Sequence, residues 1–155
     1  MRVDAPPCDE LMSGLSDRAL LRCFSYINGR WTAAANGATF AVTDPATGAL
    51  LGHVADLGAT ESAAAVDAAD AAFPAWATTL PQLRSSLLRR WFDLMIAHRE
   101  DLARIMTFEQ GKPLSEARGE IDYAASFVEF YAEEAKRPNI ESVTSHQPDA
   151  EVELW

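Results

Sequence analysis

Chemistry in this chain of 155 residues would have to come from two cysteines, three histidines, a run of carboxylates and one Gly-Lys pair. A cysteine nucleophile needs an electropositive pocket or a base beside it. Cys23 stands among Leu20, Leu21 and Phe24 instead, which reads as an apolar contact. Cys8 and Cys23 have no C-x-x-C or Cys/His metal spacing, so both are expected as free thiols in a reducing compartment. His53, His98 and His146 lie far apart, and none has a ligand companion three or four residues on. His98 is expected to cap a helix junction in solvent. Glu116, Glu120, Glu129, Glu133 and Glu134 could supply an acid–base pair. At helical spacing they read better as a solvated helix face. Gly111-Lys112 resembles the end of a phosphate loop, but Met106 occupies the first glycine position and Pro113 the Ser/Thr position. No glycines form G-x-G-x-x-G, and there is no G-x-S-x-G. From the residues alone, no catalytic, cofactor-binding or metal-binding side chain is assigned.

The elements that would position such groups begin weakly. Residues 1–24 carry Pro6, Pro7, Ser13, Gly14 and Ser16 and are expected as a flexible leader. Asn28-Gly29 then predicts a type I′ hairpin turn, with Arg30-Trp31-Thr32 starting the return strand. Asn36-Gly37 is a second turn, Thr39 to Thr43 a strand with Phe40 and Val42 on one face, and Asp44-Pro45-Ala46-Thr47-Gly48 a third turn. Residues 50–55 form a further strand, so the opening third reads as a β-meander.

Helices follow. Thr60 is expected as an N-cap for an alanine-rich helix that ends at Pro74. Pro81 opens a second helix, with Leu87, Leu88, Trp91, Met95 and Ile96 at three- and four-residue spacing. Residues 99–110 form a third, closed by Gly111 as a left-handed cap. Pro113 opens the last, whose apolar seam runs through Leu114, Ala117, Ile121, Ala124, Val128, Tyr131 and Ala135. Tyr123, Phe127 and Phe130 form a second stripe, so this helix needs cover on two sides. Residues 141–149 are expected to be irregular, and residues 151–154 alternate like a strand that needs a partner.

Composition excludes several roles. The chain is 48% hydrophobic and 23% charged, as in an ordinary soluble domain. It carries 23 acidic against 13 basic residues, a formal charge of −10, which argues against nucleic acid and anionic membranes as partners. No apolar run approaches a membrane span. The first 25 residues include Arg2, Asp4, Asp9 and Glu10 and do not read as a secretory signal, which makes the cytoplasm the expected location.

Five pieces in order resemble an aldehyde dehydrogenase: Ile27-Asn28-Gly29-Arg30-Trp31, Asp44-Pro45-Ala46-Thr47-Gly48, the helix ending at Trp76, residues 84–95, and Glu109-Gln110-Gly111-Lys112-Pro113 with the helix after it. Glu120-Ile121 and Tyr123-Ala124-Ala125-Ser126-Phe127 are most similar to the succinate-semialdehyde branch. The resemblance implies an α/β fold of the NAD(P)-binding-domain kind, with this stretch supplying a β-hairpin or meander and then mostly helices. It implies residues 25–148 as the amino-terminal portion of a cofactor domain and residues 149–155 as the start of an oligomerisation strand. In the family, an NAD(P)-dependent reaction oxidises an aldehyde to an acid through a Cys thiolate, oxyanion donors and a Glu-activated water. The P-W-N-F-P, E-L-G-G and G-Q-x-C segments that carry those groups do not occur here. The resemblance therefore implies no catalytic residue, and only Tyr123 and Phe127 as bordering a substrate entrance. The expectation is a truncated dehydrogenase, inactive and without NAD or NADP when alone. The alternatives are one half of a split enzyme, or a module that binds intact dehydrogenase subunits. Self-association is expected.

Overall fold

Asn28 and Gly29 adopt φ of 47° and 76°, the two left-handed conformations of a type I′ turn. In this computed structural model, which describes residues 9–137, 141–144 and 151–154, that turn joins β1 (Ser25–Ile27) to β2 (Arg30–Thr32), pairing Ile27 with Arg30. A second antiparallel hairpin pairs β3 (Thr39–Thr43) with β4 (Leu50–Ala55). The Asp44 carboxylate accepts from the Ala46 amide at 2.7 Å, and Gly48 donates to the Asp44 carbonyl at 2.7 Å, which closes its turn. The two hairpins are separate two-stranded sheets and not one meander. The Ala55 amide reaches the Cys23 carbonyl at 2.9 Å just before β1, a single bond where a meander would have a ladder.

The amino-terminal segment corrects the flexible leader from residue 9 onward. Asp9–Gly14 is a helix, α1, and Arg18–Leu20 a 3-10 turn capped by Asp17. Leu11 and Leu15 are buried. The buried Asp101 carboxylate accepts from the Ser16 amide at 2.9 Å and the Asp17 amide at 2.8 Å. Apolar anchors and a two-pronged acceptor thus fix a stretch whose Pro/Gly/Ser content suggested freedom. Residues 1–8 of that leader, with His146 and Trp155, lie outside the described residues.

α2 (Ala59–Ala77) starts from Gly58, one residue before the helix and two before Thr60. Glu61 is the acceptor that matters there, taking the Gly58 amide at 3.1 Å and the Ala35 amide at 2.9 Å. Pro74 sits inside α2 instead of ending it. So late in a helix its missing N–H forfeits one bond, and Thr78 closes the end by donating its amide to the Pro74 carbonyl. α2 buries none of its residues.

α3 (Pro81–Ala97) and α4 (Arg99–Gln110) both pack against α5 (Leu114–Glu134). Gly111, at φ 73°, caps α4, and a Cβ there would lie 2.9 Å from Pro45 Cγ. The buried face of α5 is Ala117, Ile121, Ala125 and Ala132. Ala103 of α4 joins it, with Leu102, Met106 and Leu114 packed around. The predicted seam is thereby rotated, since Ala124 and Tyr131 are exposed. Small side chains let three helices approach closely, and the aromatics of α5 are too large for that contact.

Arg89 ties α3 to Glu129 and Glu133 of α5 at 2.6 and 2.7 Å. Arg99 and Arg118 cross-link α4 and α5 through forked pairs to Asp122 and Glu100. β5 (Glu141–Thr144) pairs antiparallel with β6 (Glu151–Leu154), so the terminal strand finds its partner inside the stretch expected to be irregular.

Candidate functional site

α5 turns its small residues inward, so its aromatic residues face out. Tyr123 and Phe127, one turn apart, meet edge to face with ring centroids 4.8 Å apart and an interplanar angle of 81°. Phe130 and Tyr131 make a similar pair at 5.3 Å. Tyr123 is 65% exposed and Phe127 47%. Beside this face, Trp76, Arg84, Leu88, Phe130, Tyr131 and Glu134 line an open groove. Arg84 stands in its wall, donating to the carbonyls of Ala77 and Thr79 at 3.2 and 2.8 Å. The two stripes read on the last helix thus become one buried alanine face and one open aromatic face. The groove, formed where α2, α3 and α5 converge, had no signature in sequence.

Several of the other reactive side chains are held in structural contacts. Cys23 lines a cavity of about 150 Å³ together with Leu11, Leu20, Leu21, Arg22, Leu51, Ile105 and Glu109, and among the described residues no histidine lines it. Desolvation pushes the Glu109 carboxyl above the ordinary glutamate range. Burial works against the charge of Asp101, yet the Ser16 and Asp17 amides hold its carboxyl below the ordinary aspartate range. Glu120, Glu129 and Glu133 are each ion-paired to an Arg or Lys. His98 joins α3 to α4 through its backbone, donating to Leu94 and accepting from Leu102. Among the described residues no group of His, Cys, Asp or Glu could hold a metal ion.

A dinucleotide asks for free amides at a helix N-terminus or a glycine-rich cradle. The N-terminus of α2 is already occupied by the Glu61 carboxylate, whose charge is favoured chiefly by the Ala35 amide. Lys112 is paired with Glu120, and Gly111 serves as a helix cap. Neither the start of α2 nor the Gly111-Lys112 pair therefore offers such a cradle.

The order of these elements is matched elsewhere. The aldehyde dehydrogenase family model matches residues 31–154. The chain belongs to that family. A glutarate-semialdehyde dehydrogenase of Pseudomonas putida is 55% identical over 135 residues, which make up 87% of this chain and 28% of that protein. An NADP(+) succinate-semialdehyde dehydrogenase of Escherichia coli is 52% identical, again over 87% of this chain and 28% of that one. The crystal structure of an Escherichia coli NADP-dependent enzyme superposes with a TM-score of 0.83 at 52% identity, over 87% of this chain and 28% of that one. This aldehyde dehydrogenase chain therefore spans a little over a quarter of the length of those relatives, and its strand pairs followed by helices are an amino-terminal portion of the family's fold. Among its described residues no helix is long and apolar enough to cross a membrane.

Asp101 and Glu61 are the positioning residues that the sequence did not announce. Each accepts amides from a segment distant in the chain, residues 16–17 for Asp101 and Ala35 for Glu61. Only the acidic first turns of α4 and α2 hinted at them.

Proposed function

We propose that this chain is the amino-terminal portion of the cofactor domain of an NAD(P)-dependent semialdehyde dehydrogenase. It supplies scaffold and one wall of the substrate entrance, but no reacting group. The observation that carries this reading is the match over residues 31–154 to a family whose two semialdehyde relatives named above are more than three times as long. The substrate class is a short aldehyde bearing a carboxylate at its far end, oxidised to the diacid. Residues 25–148 belong to the cofactor domain, and residues 149–155 begin the oligomerisation strand.

Tyr123 and Phe127 form the entrance wall in this reading. Their exposure on α5, opposite the face that packs on α3 and α4, supports it. An edge-to-face pair is a rigid apolar wall that would guide an aldehyde chain without contacting the reacting carbon. The thiolate, the oxyanion donors and the general base come from the rest of a dehydrogenase polypeptide. When bound, NAD(P) would accept the hydride, and its phosphates would be held by groups outside this chain. A cytoplasmic location accompanies this reading. A second reading, docking onto intact dehydrogenase subunits without taking part in turnover, is favoured by the exposed apolar residues of α3 and α5.

Two assays test the first reading. The purified chain, given succinate or glutarate semialdehyde with NAD+ or NADP+, is expected to produce no NAD(P)H. Grafted in place of the matching stretch of the Pseudomonas putida relative, it is expected to sustain aldehyde oxidation. Turnover by the chain alone would defeat the proposal, and so would a folded graft without activity.

A further inference from the structure

The amino-terminal segment, the second hairpin and α4 meet around the cavity that Cys23 lines. Leu11 and Leu21 wall it from the first of these, Val42, Leu51 and Val54 from the second, and Ile105 from the third. Leu11 and Leu51 are only 1% and 4% exposed, so they lie at its inner end. These walls are aliphatic, and no aromatic ring lines the space. Its volume of about 150 Å³ matches that of an engineered aliphatic cavity that stays dry and takes up benzene or xenon. Wall atoms facing such a space lack dispersion partners on one side, so an apolar guest of that size is favoured.

The ionisable groups on the lining are Arg22, Cys23 and Glu109. Arg22 is exposed, and its guanidinium lies over the Trp31 ring, 4.9 Å from the centroid. Glu109 is exposed as a residue while its carboxyl is partly desolvated, which places the carboxyl at the mouth. Among the described residues no cation or amide pairs with it, Arg22 included. A desolvated carboxylate without a partner is costly, and a cation beside it relieves the cost. The formal charge of −10 further raises the local concentration of cations.

We propose that this cavity is a binding site for a small organic ammonium ion, with an apolar body of about benzene's size inside and the ammonium at the mouth against Glu109. A metal ion does not suit it, because one carboxylate above aliphatic walls is not a ligand set. An anion would meet the Glu109 charge, and a neutral guest would leave that charge unmatched. None of the lining residues belongs to α5 or to the groove beside it, so the proposal does not rest on the dehydrogenase reading and stands or falls apart from it.

The test uses the full chain with Cys8→Ser, which leaves Cys23 as the one thiol. The rate of Cys23 alkylation by iodoacetamide reports occupancy of the cavity. Three probes of one size differ in charge: benzylamine, benzyl alcohol and benzoate. Benzylamine is expected to slow alkylation with half-saturation on the order of 1 mM. Benzyl alcohol should need about five times more, and benzoate should give no protection. Glu109→Gln should bring benzylamine to the level of benzyl alcohol and leave benzyl alcohol within about twofold, a selective loss that a merely structural role for Glu109 would not produce. Val42→Phe, which fills the cavity, should abolish protection by both. If that variant melts early, the Glu109→Gln comparison decides alone. Benzylamine should also shift the amide resonances of Leu51, Val54 and Ile105 and leave those of Tyr123, Phe127 and Tyr131 in place.

Equal protection by the three probes would overturn the inference, since charge would then play no part. So would benzylamine protection that survives Glu109→Gln, or amide shifts confined to α5. Protection by none of them would mean that the chain's own side chains occupy the space, and would overturn it as well.

Discussion

At the scale of single residues, the amino-terminal segment is fastened to the helices by one carboxylate. Asp101 accepts two backbone amides, from Ser16 and Asp17, while almost wholly buried. Asn in its place keeps one good acceptor and leaves one amide unmatched. Asp101→Asn is therefore expected to cost about 1–3 kcal/mol in urea denaturation. The folded carboxyl lies below the ordinary aspartate range. Its contribution is thus fully present above the unfolded pKa and is lost as pH falls through the lowered folded one. Acid titration should release residues 16–17 to hydrogen exchange in that window, and Asp101→Asn should remove the pH dependence. Glu109 has the opposite sign. Desolvation raises its carboxyl, so its ionised form opposes folding above the unfolded pKa, and the penalty fades as pH falls. Glu109→Gln should raise Tm at neutral pH by about 1–2 °C, a small effect because solvent screens part of the charge. The gain should shrink on acidification, and a variant that melts lower at neutral pH would contradict the assignment.

At the scale of elements, turn chemistry was the readable part. Asn28-Gly29, the Asp44 turn and the Gly111 cap each need a backbone conformation or a side-chain acceptor that few residues supply, and each stands where the sequence placed it. Pro74 misled because proline reports a missing donor, and a donor missing near a helix end costs little. Restoring it tests that reason. Pro74→Ala lets the amide reach the Asp70 carbonyl one turn back, and should add about 1–3 kcal/mol to the stability of α2, seen as a gain in far-ultraviolet helicity. No gain would mean that the helix end is set by the Thr78 and Thr79 hydroxyls, which bond the carbonyls of Pro74 and Ala75. The seam of α5 was misplaced for a different reason. Periodicity counts apolar residues without weighing their size, and close helix packing here selected Ala117, Ala125 and Ala132 over the larger Tyr131. The same selection left Tyr123 and Phe127 outside. The sequence could list these aromatics, but their direction depended on α3 and α4, which no local pattern encodes.

At the scale of the whole molecule, two terms oppose each other. The buried core is small and rich in alanine, while Leu83, Leu87, Trp91, Phe127, Phe130 and Tyr131 are each roughly half exposed. That surface favours association. The formal charge of −10 opposes it, and the repulsion acts over a distance set by salt. Raising ionic strength shortens the reach of the repulsion and leaves apolar burial intact. The chain is therefore expected to self-associate at micromolar concentration, and more strongly in salt, which is the reverse of an assembly held by ion pairs. Sedimentation velocity across a salt series would show it as a weight-average coefficient rising with both concentration and salt. Leu87→Glu/Trp91→Glu should flatten the rise, since it removes apolar area and adds two negative charges on the same face. A coefficient that falls with salt would mean that charged contacts, and not the open faces of α3 and α5, govern how these molecules meet. A coefficient indifferent to both variables would mean that those faces are covered within the chain itself.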